Sequence, residues 1–425
     1  MLRQSGPRAN SPNDLIMKWV TGLLAIVYLA NCFTPLRLNV DTVRYFGIKE
    51  CIEFGCPPDS DAARDYFPYG YTALLLILSK LGILRSFTLV FINCIYLAGG
   101  LYLIKRIFGD ALQTWLFCCI VLLNWTIIKF VTHPLSEMQY LFFSMCSIYY
   151  FYLYTKNKKL LFLFLAFGFS VIAFLTRTVG VALMAALVAG LLWEFRTGLI
   201  LLVRRNKILV GIILLLAIGV AVFSKQLGLN HYTGVMSTQY KKGLTRPAIT
   251  GWHLQEWGEI TFNTSAEKGD EQLHAMASET FFIIIGVVFF AAFLYLLFIR
   301  RNNIPFIVRI YLLFYSALMF YWPFYDPRFW VPVIPLIVAV VVQVIPTRTT
   351  AWKIGLSLFM AAYVVLGVAA SGYMTYTSLN KEAFAKRHAL GVYRNEFETY
   401  FFGKPQSDTA KKIDPFVLHV IEKYN

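Results

Sequence analysis

Charge is scarce in this 425-residue chain: Asp, Glu, Lys and Arg together make up 15% of it. Soluble domains carry roughly a quarter charged residues, so there is too little polar surface here to cover a water-exposed globule. Acid is scarcer than base, with 23 Asp and Glu against 39 Lys and Arg. Several patterns are missing altogether. There is no Walker loop, GxGxxG turn or zinc-ligand spacing, and no soluble nucleotide-binding domain. No internal repeat is evident, which weakens a transporter built from inverted halves. Of the seven cysteines, Cys32, Cys94, Cys118, Cys119 and Cys146 lie in or beside apolar runs and read as small core residues. Cys51 and Cys56 share one loop and can pair if that loop faces an oxidising compartment.

Hydrophobic residues make up 58% of the chain and aromatics 17%. Apolar runs near the ~20 residues that span a bilayer recur along its length, so the fold expected is all-α and polytopic. The first run, Trp19–Phe33, follows a polar start with no small-residue cleavage site behind it and reads as a signal anchor. The net charge of +16 is spread in short basic clusters beside apolar runs, as membrane topology requires, so no nucleic-acid partner is expected.

The runs predict about eleven spans, near 16–34, 86–104, 111–128, 134–154, 160–176, 178–194, 206–224, 280–299, 304–322, 329–346 and 352–374. Tyr71–Leu84 is too short to cross and reads as a re-entrant or interfacial helix. With the N-terminus cytoplasmic, each predicted inside loop is basic: Lys105/Arg106, Lys156/Lys158/Lys159, Arg196/Arg204/Arg205/Lys207, Arg300/Arg301 and Arg348/Lys353. Residues 1–374 then form the transmembrane domain, with outer loops at 34–85 and 225–280 and juxtamembrane helices on the outer face. Residues 375–425 form an outer tail, which Phe397, Tyr400, Phe401 and Phe402 would let fold as a small cap.

Ionisable side chains at a membrane edge are costly and are functional candidates by default. Asp41, just past the first run, can take a proton from a hydroxyl nucleophile, or cap the helix that follows. His133-Pro134-Leu135-Ser136-Glu137 opens the fourth run; Glu137 suits a helix N-terminus, and with His133 could contact phosphate, metal or acceptor. Arg177, Arg328 and Lys129 sit at outer edges, where topology disfavours cations; they either snorkel to lipid headgroups or bind a phosphate, with Asp326 a candidate ion-pair partner. Residues 225–280 hold His253 and Trp257 among other aromatic and polar groups suited to sugar or headgroup contact. Asn263-Thr264-Ser265 fits a glycosylation sequon.

Taken in order, these motifs resemble the GT-C superfamily of multi-spanning transferases that use lipid-linked sugars, in particular bacterial relatives of the protein mannosyltransferases and aminoarabinose lipid A transferases. Asp41-Thr42-Val43-Arg44-Tyr45 looks like the acidic first-loop motif, and Tyr66-Phe67-Pro68-Tyr69-Gly70-Tyr71 like the juxtamembrane Pro-Gly-Tyr segment. Ser136-Glu137 looks like the Ser-Glu-Pro motif with Met138 in place of proline; Arg177 with Gly180, and Arg328 with Pro332 and Pro335, look like the later arginine motifs. The resemblance implies an inverting glycosyltransferase that moves a sugar from a polyprenyl-phosphate carrier to a hydroxyl acceptor, a lipid or glycan of the cell envelope. It places the active site on the outer face of a bacterial inner membrane. Asp41 would be the catalytic base and Glu137 its helper. Arg177, Arg328, Lys129 and His133 would bind the donor phosphate; Arg44, Tyr45, Tyr69, His253 and Trp257 would contact sugar or acceptor. A lone Asp41 replaces the family's acidic pair, so a divalent cation, magnesium or manganese, stays open as cofactor. A flippase of lipid-linked saccharides, and a ligase or polymerase of the O-antigen kind using Arg246 and His253, are the alternatives.

Overall fold

The structure, a computed structural model, describes residues 12–196, 211, 229–266, 275–299, 304–344, 350–387 and 392–425, and among these it contains helices and no strand. The helices are α1 (Pro12–Ala30), α2 (Val40–Phe54), α3 (Tyr69–Lys80), α4 (Ser86–Phe108), α5 (Thr114–Leu122), α6 (Trp125–Val131), α7 (Glu137–Asn157), α8 (Leu160–Thr176) and α9 (Gly180–Glu194). There follow α10 (Leu229–Lys241), α11 (Arg246–Phe262), α12 (Ala275–Leu294), α13 (Phe306–Met319), α14 (Ile334–Val344), α15 (Thr350–Leu379), α16 (Lys381–Arg387), α17 (Arg394–Phe402) and α18 (Pro415–Tyr424).

Several of these helices are long and apolar, as in a membrane-embedded protein, but the count of eleven spans is not met. Among the described residues Leu15–Phe33, Ser86–Ala111, Glu279–Phe298 and Ile354–Leu379 are long and apolar enough to cross a bilayer; counting the bent pair α5–α6 as one gives five. Leu160–Thr176, Gly180–Glu194, Phe306–Met319 and Ile334–Gln343 are apolar but only 10–17 residues long. At 1.5 Å per residue such helices fall short of the ~30 Å hydrocarbon core. At two of the expected runs a polar capping residue breaks or delays the helix. Asn124 accepts hydrogen bonds from the N–H groups of Thr126 and Ile127, so α5 ends and α6 starts at an angle of 68°. Asp326 caps a short 3-10 turn at Pro327–Trp330, and α14 starts only at Ile334. The 134–154 run does form a 21-residue helix, α7, but Glu137, Gln139, Ser144 and Ser147 are buried in it and it faces protein on several sides. The run at 206–224 lies outside the described residues, apart from 211.

α4, α7, α8 and α9 pack together, and α13 packs on α9. α11 and α12 approach backbone to backbone: a Cβ on Gly258 would lie 2.0 Å from the Phe282 carbonyl oxygen, and one on Gly286 1.7 Å from that of Leu254. Only glycine allows this closeness, and it sets α11 closely against α12. The tail, expected as a small cap, forms the short helices α16, α17 and α18. Phe384, Phe397, Val417, Val420 and Ile421 are buried, and α18 docks on α2 through Lys49 Nζ to Tyr424 Oη (2.6 Å) and Lys423 Nζ to Glu50 (3.1 Å).

Candidate functional site

The first turn of α2, the start of α7, the end of α8 and the turn before α14 meet at one place. Asn39, not Asp41, caps α2: its side-chain oxygen accepts the Thr42 N–H at 2.8 Å. The Asp41 carboxylate is thereby left for another partner, and one oxygen takes the Arg328 guanidinium while the other lies 4.0 Å from Arg44. Arg328 also holds Asp326 (2.7 Å) and comes within 4.0 Å of Glu137, whose same oxygen, Oε1, pairs with Arg177. Three carboxylates thus share two guanidinium groups, linking residues as far apart as 41 and 328.

Each member is placed by its backbone. Arg177 leaves the end of α8 in extended conformation and lies over the Phe329 ring at 5.8 Å. Gly70 permits α3 to abut that end of α8, since a Cβ there would come within 2.6 Å of the Leu175 carbonyl oxygen. Asp326 accepts the Arg328 N–H at 3.0 Å, so acid and base of the turn are held together by backbone as well as charge. Two features set the cluster apart from a structural ion pair. The Asp41 side chain is 25% exposed, the most open of the pair it forms with Arg328. Glu137 is buried, yet its Oε2 has no hydrogen-bond partner among the described residues. A buried acceptor left unsatisfied costs roughly 1–3 kcal/mol, so this oxygen has capacity for a further donor, water or ligand.

The other expected contacts divide. Arg44 makes a two-pronged pair with Asp65 (2.7 and 2.8 Å) and lies on the Tyr66 and Phe67 rings. Tyr69 is exposed beside them. Tyr45, expected at sugar or acceptor, is buried and donates to Ser136 Oγ at 3.0 Å, so it braces α2 against the start of α7. Lys129 lies over the Trp125 and Phe130 rings. His133, expected at the donor phosphate, does not present an open side chain to the cluster. It is buried with Nδ1 2.8 Å from the Lys129 carbonyl oxygen, and burial, with the nearby Arg37, Lys129 and Arg328, pushes its pKa well below the usual histidine range.

His253 and Trp257 are likewise no sugar contacts, both being buried in the interior of the bundle. His253 sits between the Glu256 carboxylate and the Trp322 carbonyl oxygen, at 2.7 and 2.8 Å, and Trp257 packs on Phe290, Phe293 and Trp330. Asn263, the sequon residue, is buried with its amide bonded to the carbonyls of Leu123 and Tyr363, and so is closed to modification.

Four participants escaped the sequence reading. Asp65 anchors Arg44; Glu256 and Glu259 brace the segment 322–330, their signal being the i, i+3 spacing of His253, Glu256 and Glu259 along one helical face. Arg37 is buried among the hydroxyls of Thr34, Thr377 and Ser378 and over the Phe384 ring, joining the first loop to the cap. Among the described residues no three His, Cys, Asp or Glu side chains converge as a metal-ligand set, and Asp41 and Asp326 are both engaged by Arg328. Behind the 322–330 segment lies an apolar cavity of about 570 Å³ lined by Trp257, Phe293, Trp330, Ile334, Phe359 and Tyr363 among others. Cys51 and Cys56 form a disulfide at the end of α2. Comparison with protein-family models, with curated proteins and with solved structures finds no match to this chain.

Proposed function

We propose that this chain is an inverting glycosyltransferase of the GT-C kind, transferring a sugar from a polyprenyl-phosphate carrier to a hydroxyl acceptor on the non-cytoplasmic side of a bacterial inner membrane. The observation that carries the reading is the meeting of Asp41, Glu137, Arg177 and Arg328, residues up to 287 positions apart, in a single ionic cluster. The motifs quoted from the sequence for the GT-C resemblance supply the reaction class. The Cys51–Cys56 disulfide, on the same helix as Asp41, supports an oxidising compartment on that side. The cavity beside Trp330 gives an apolar chain room next to the turn that carries Arg328.

In this mechanism Asp41 takes the proton of the acceptor hydroxyl as its oxygen bonds to the anomeric carbon and the carbon–phosphate-oxygen bond breaks. Arg328 and Arg177 receive the charge of the departing phosphate, Arg328 leaving Asp41 as the phosphate arrives, so that the base is freed when the donor is in place. The Glu137 Oε2 accepts a hydrogen bond from acceptor or sugar. Membranes or nanodiscs carrying the protein, supplied with lipid-linked sugars of several kinds, test this. New glycosidic bonds that vanish with Asp41→Asn support the proposal. Undiminished bond formation in that variant removes Asp41 as base, and movement of the carrier across the bilayer without bond formation would favour a flippase.

A further inference from the structure

α11 buries three ionisable side chains on one face, His253, Glu256 and Glu259, each at most 1% exposed. Taking such groups out of water costs several kcal/mol apiece, and apolar residues of similar size would hold two helices together as well or better. What they bind is therefore informative. The His253 Nε2 donates to the Trp322 carbonyl oxygen at 2.8 Å. Glu256 accepts from His253 Nδ1 (2.7 Å), from the Asp326 backbone N–H (2.6 Å) and from Trp330 Nε1 (2.7 Å). Glu259 accepts from the Tyr325 hydroxyl. Apart from the His253–Glu256 bond itself, these contacts end on the nine-residue segment 322–330, and together they grip it at its start, middle and end. Arg328 stands between two of the gripped positions, Asp326 and Trp330.

We infer that His253 and Glu256 are a positioning pair that aims Arg328 at the Asp41–Glu137 cluster. What Arg328 is aimed to do rests on the glycosyltransferase reading; that it is aimed by α11 does not. The platform suits the task, because the Gly258–Gly286 approach holds α11 to α12 without slack. The protonation pattern suits it too. Nε2 faces a carbonyl and so carries a proton of its own, and a second proton lies between Nδ1 and the Glu256 carboxylate, so the pair forms a charge-assisted link that neither Gln nor Phe in place of His253 reproduces.

Arginine-selective labelling with phenylglyoxal, read residue by residue by peptide mass spectrometry on the full chain in nanodiscs, tests this without any substrate. In the unaltered protein Arg328 should label slowly. In His253→Phe and in Glu256→Leu its rate should rise about tenfold, while Arg44, held separately by Asp65, keeps its rate. Trp330→Phe removes a single N–H donor and keeps an aromatic ring; it should raise Arg328 labelling about threefold and serves where the other two fail to fold. An unchanged Arg328 rate in a folded variant, or an equal rise at Arg44, would overturn the inference. Where transfer is measurable, His253→Phe should raise KM for the lipid donor more than it lowers kcat, and its effect should not add to that of Arg328→Lys; additive effects would count against the pair acting through Arg328. Absence of transfer in the unaltered protein would bear on the glycosyltransferase reading alone.

Discussion

The molecule holds two clusters of carboxylates that differ in how completely they are satisfied. In α11, the Glu256 carboxylate receives three donors and Glu259 a tyrosine hydroxyl, and both residues are closed to solvent. Around Arg328 the carboxylates outnumber the guanidinium groups, Asp41 is partly open, and Glu137 keeps a buried oxygen without a partner among the described residues. A fully bonded buried network rigidifies what surrounds it; an incompletely bonded one has capacity left for a ligand. The two clusters share one segment of chain, so the rigid one can serve the open one.

Substitutions should separate them, and the largest effect belongs to the open cluster. Asp41→Asn should lower transfer by on the order of 10²–10⁴-fold, the usual worth of a general base, while the thermal unfolding midpoint stays close to that of the unaltered protein. A large drop in the midpoint would make Asp41 a structural residue and erase the contrast. Next, Arg177→Leu leaves Glu137 buried with only Arg328 at 4.0 Å, and removing one partner of a buried pair costs about 3–5 kcal/mol. Glu137→Leu with Arg177→Leu should recover most of that stability in chemical denaturation and none of the activity.

The satisfied cluster should respond through pH. Burial raises the Glu259 carboxyl to about 7, against the opposing hydrogen bonds from Tyr325 and the Ala266 N–H. A group whose folded pKa lies above its unfolded value, near 4.3 for Glu, stabilises the fold most below that lower value and loses the contribution as pH rises through the upper one. Between about pH 4 and 7 the fold should therefore lose on the order of 2–4 kcal/mol from this residue. Glu259→Gln should flatten the midpoint-against-pH curve over that window. An unchanged slope would mean that Glu259 does not titrate there.

Which parts of this were legible beforehand follows from solvation. Asp41, Glu137, Arg177 and Arg328 could be picked out because a charge at the edge of an apolar run is costly enough to need a reason. His253 and Trp257 were misread because an amphipathic segment outside the spans shows its periodicity but not which face meets protein. The same face carried the overlooked sign, acids at three-residue intervals from His253 among large apolar groups. The span count failed for a different reason. Hydropathy sums over a window, whereas one amide such as Asn124 ends a helix locally by bonding two backbone N–H groups and is itself satisfied by Tyr363 and the Ile260 carbonyl.

The smallest expected effect concerns the far end of the helix that bears Asp41. The Cys51–Cys56 link closes a loop of five sequence positions, for which the chain-entropy estimate gives about 2 kcal/mol. It joins the last turn of α2 to the following loop, next to Lys49, Glu50 and Glu53, where α18 docks. Cys51→Ser should therefore loosen the cap against α2, seen as faster proteolysis of residues 415–425, while Asp41, at the other end of the helix, where Asn39 caps the Thr42 N–H, keeps its place and transfer falls less than about threefold. The same bond reports sidedness. In intact cells or sealed vesicles, Cys51 and Cys56 should resist alkylation until a reductant is added, and a membrane-impermeant reductant applied from the non-cytoplasmic face should suffice. Thiols that alkylate without reduction would place this end of α2, and Asp41 with it, in a reducing compartment, where a lipid-linked donor presented on the outer leaflet could not reach them.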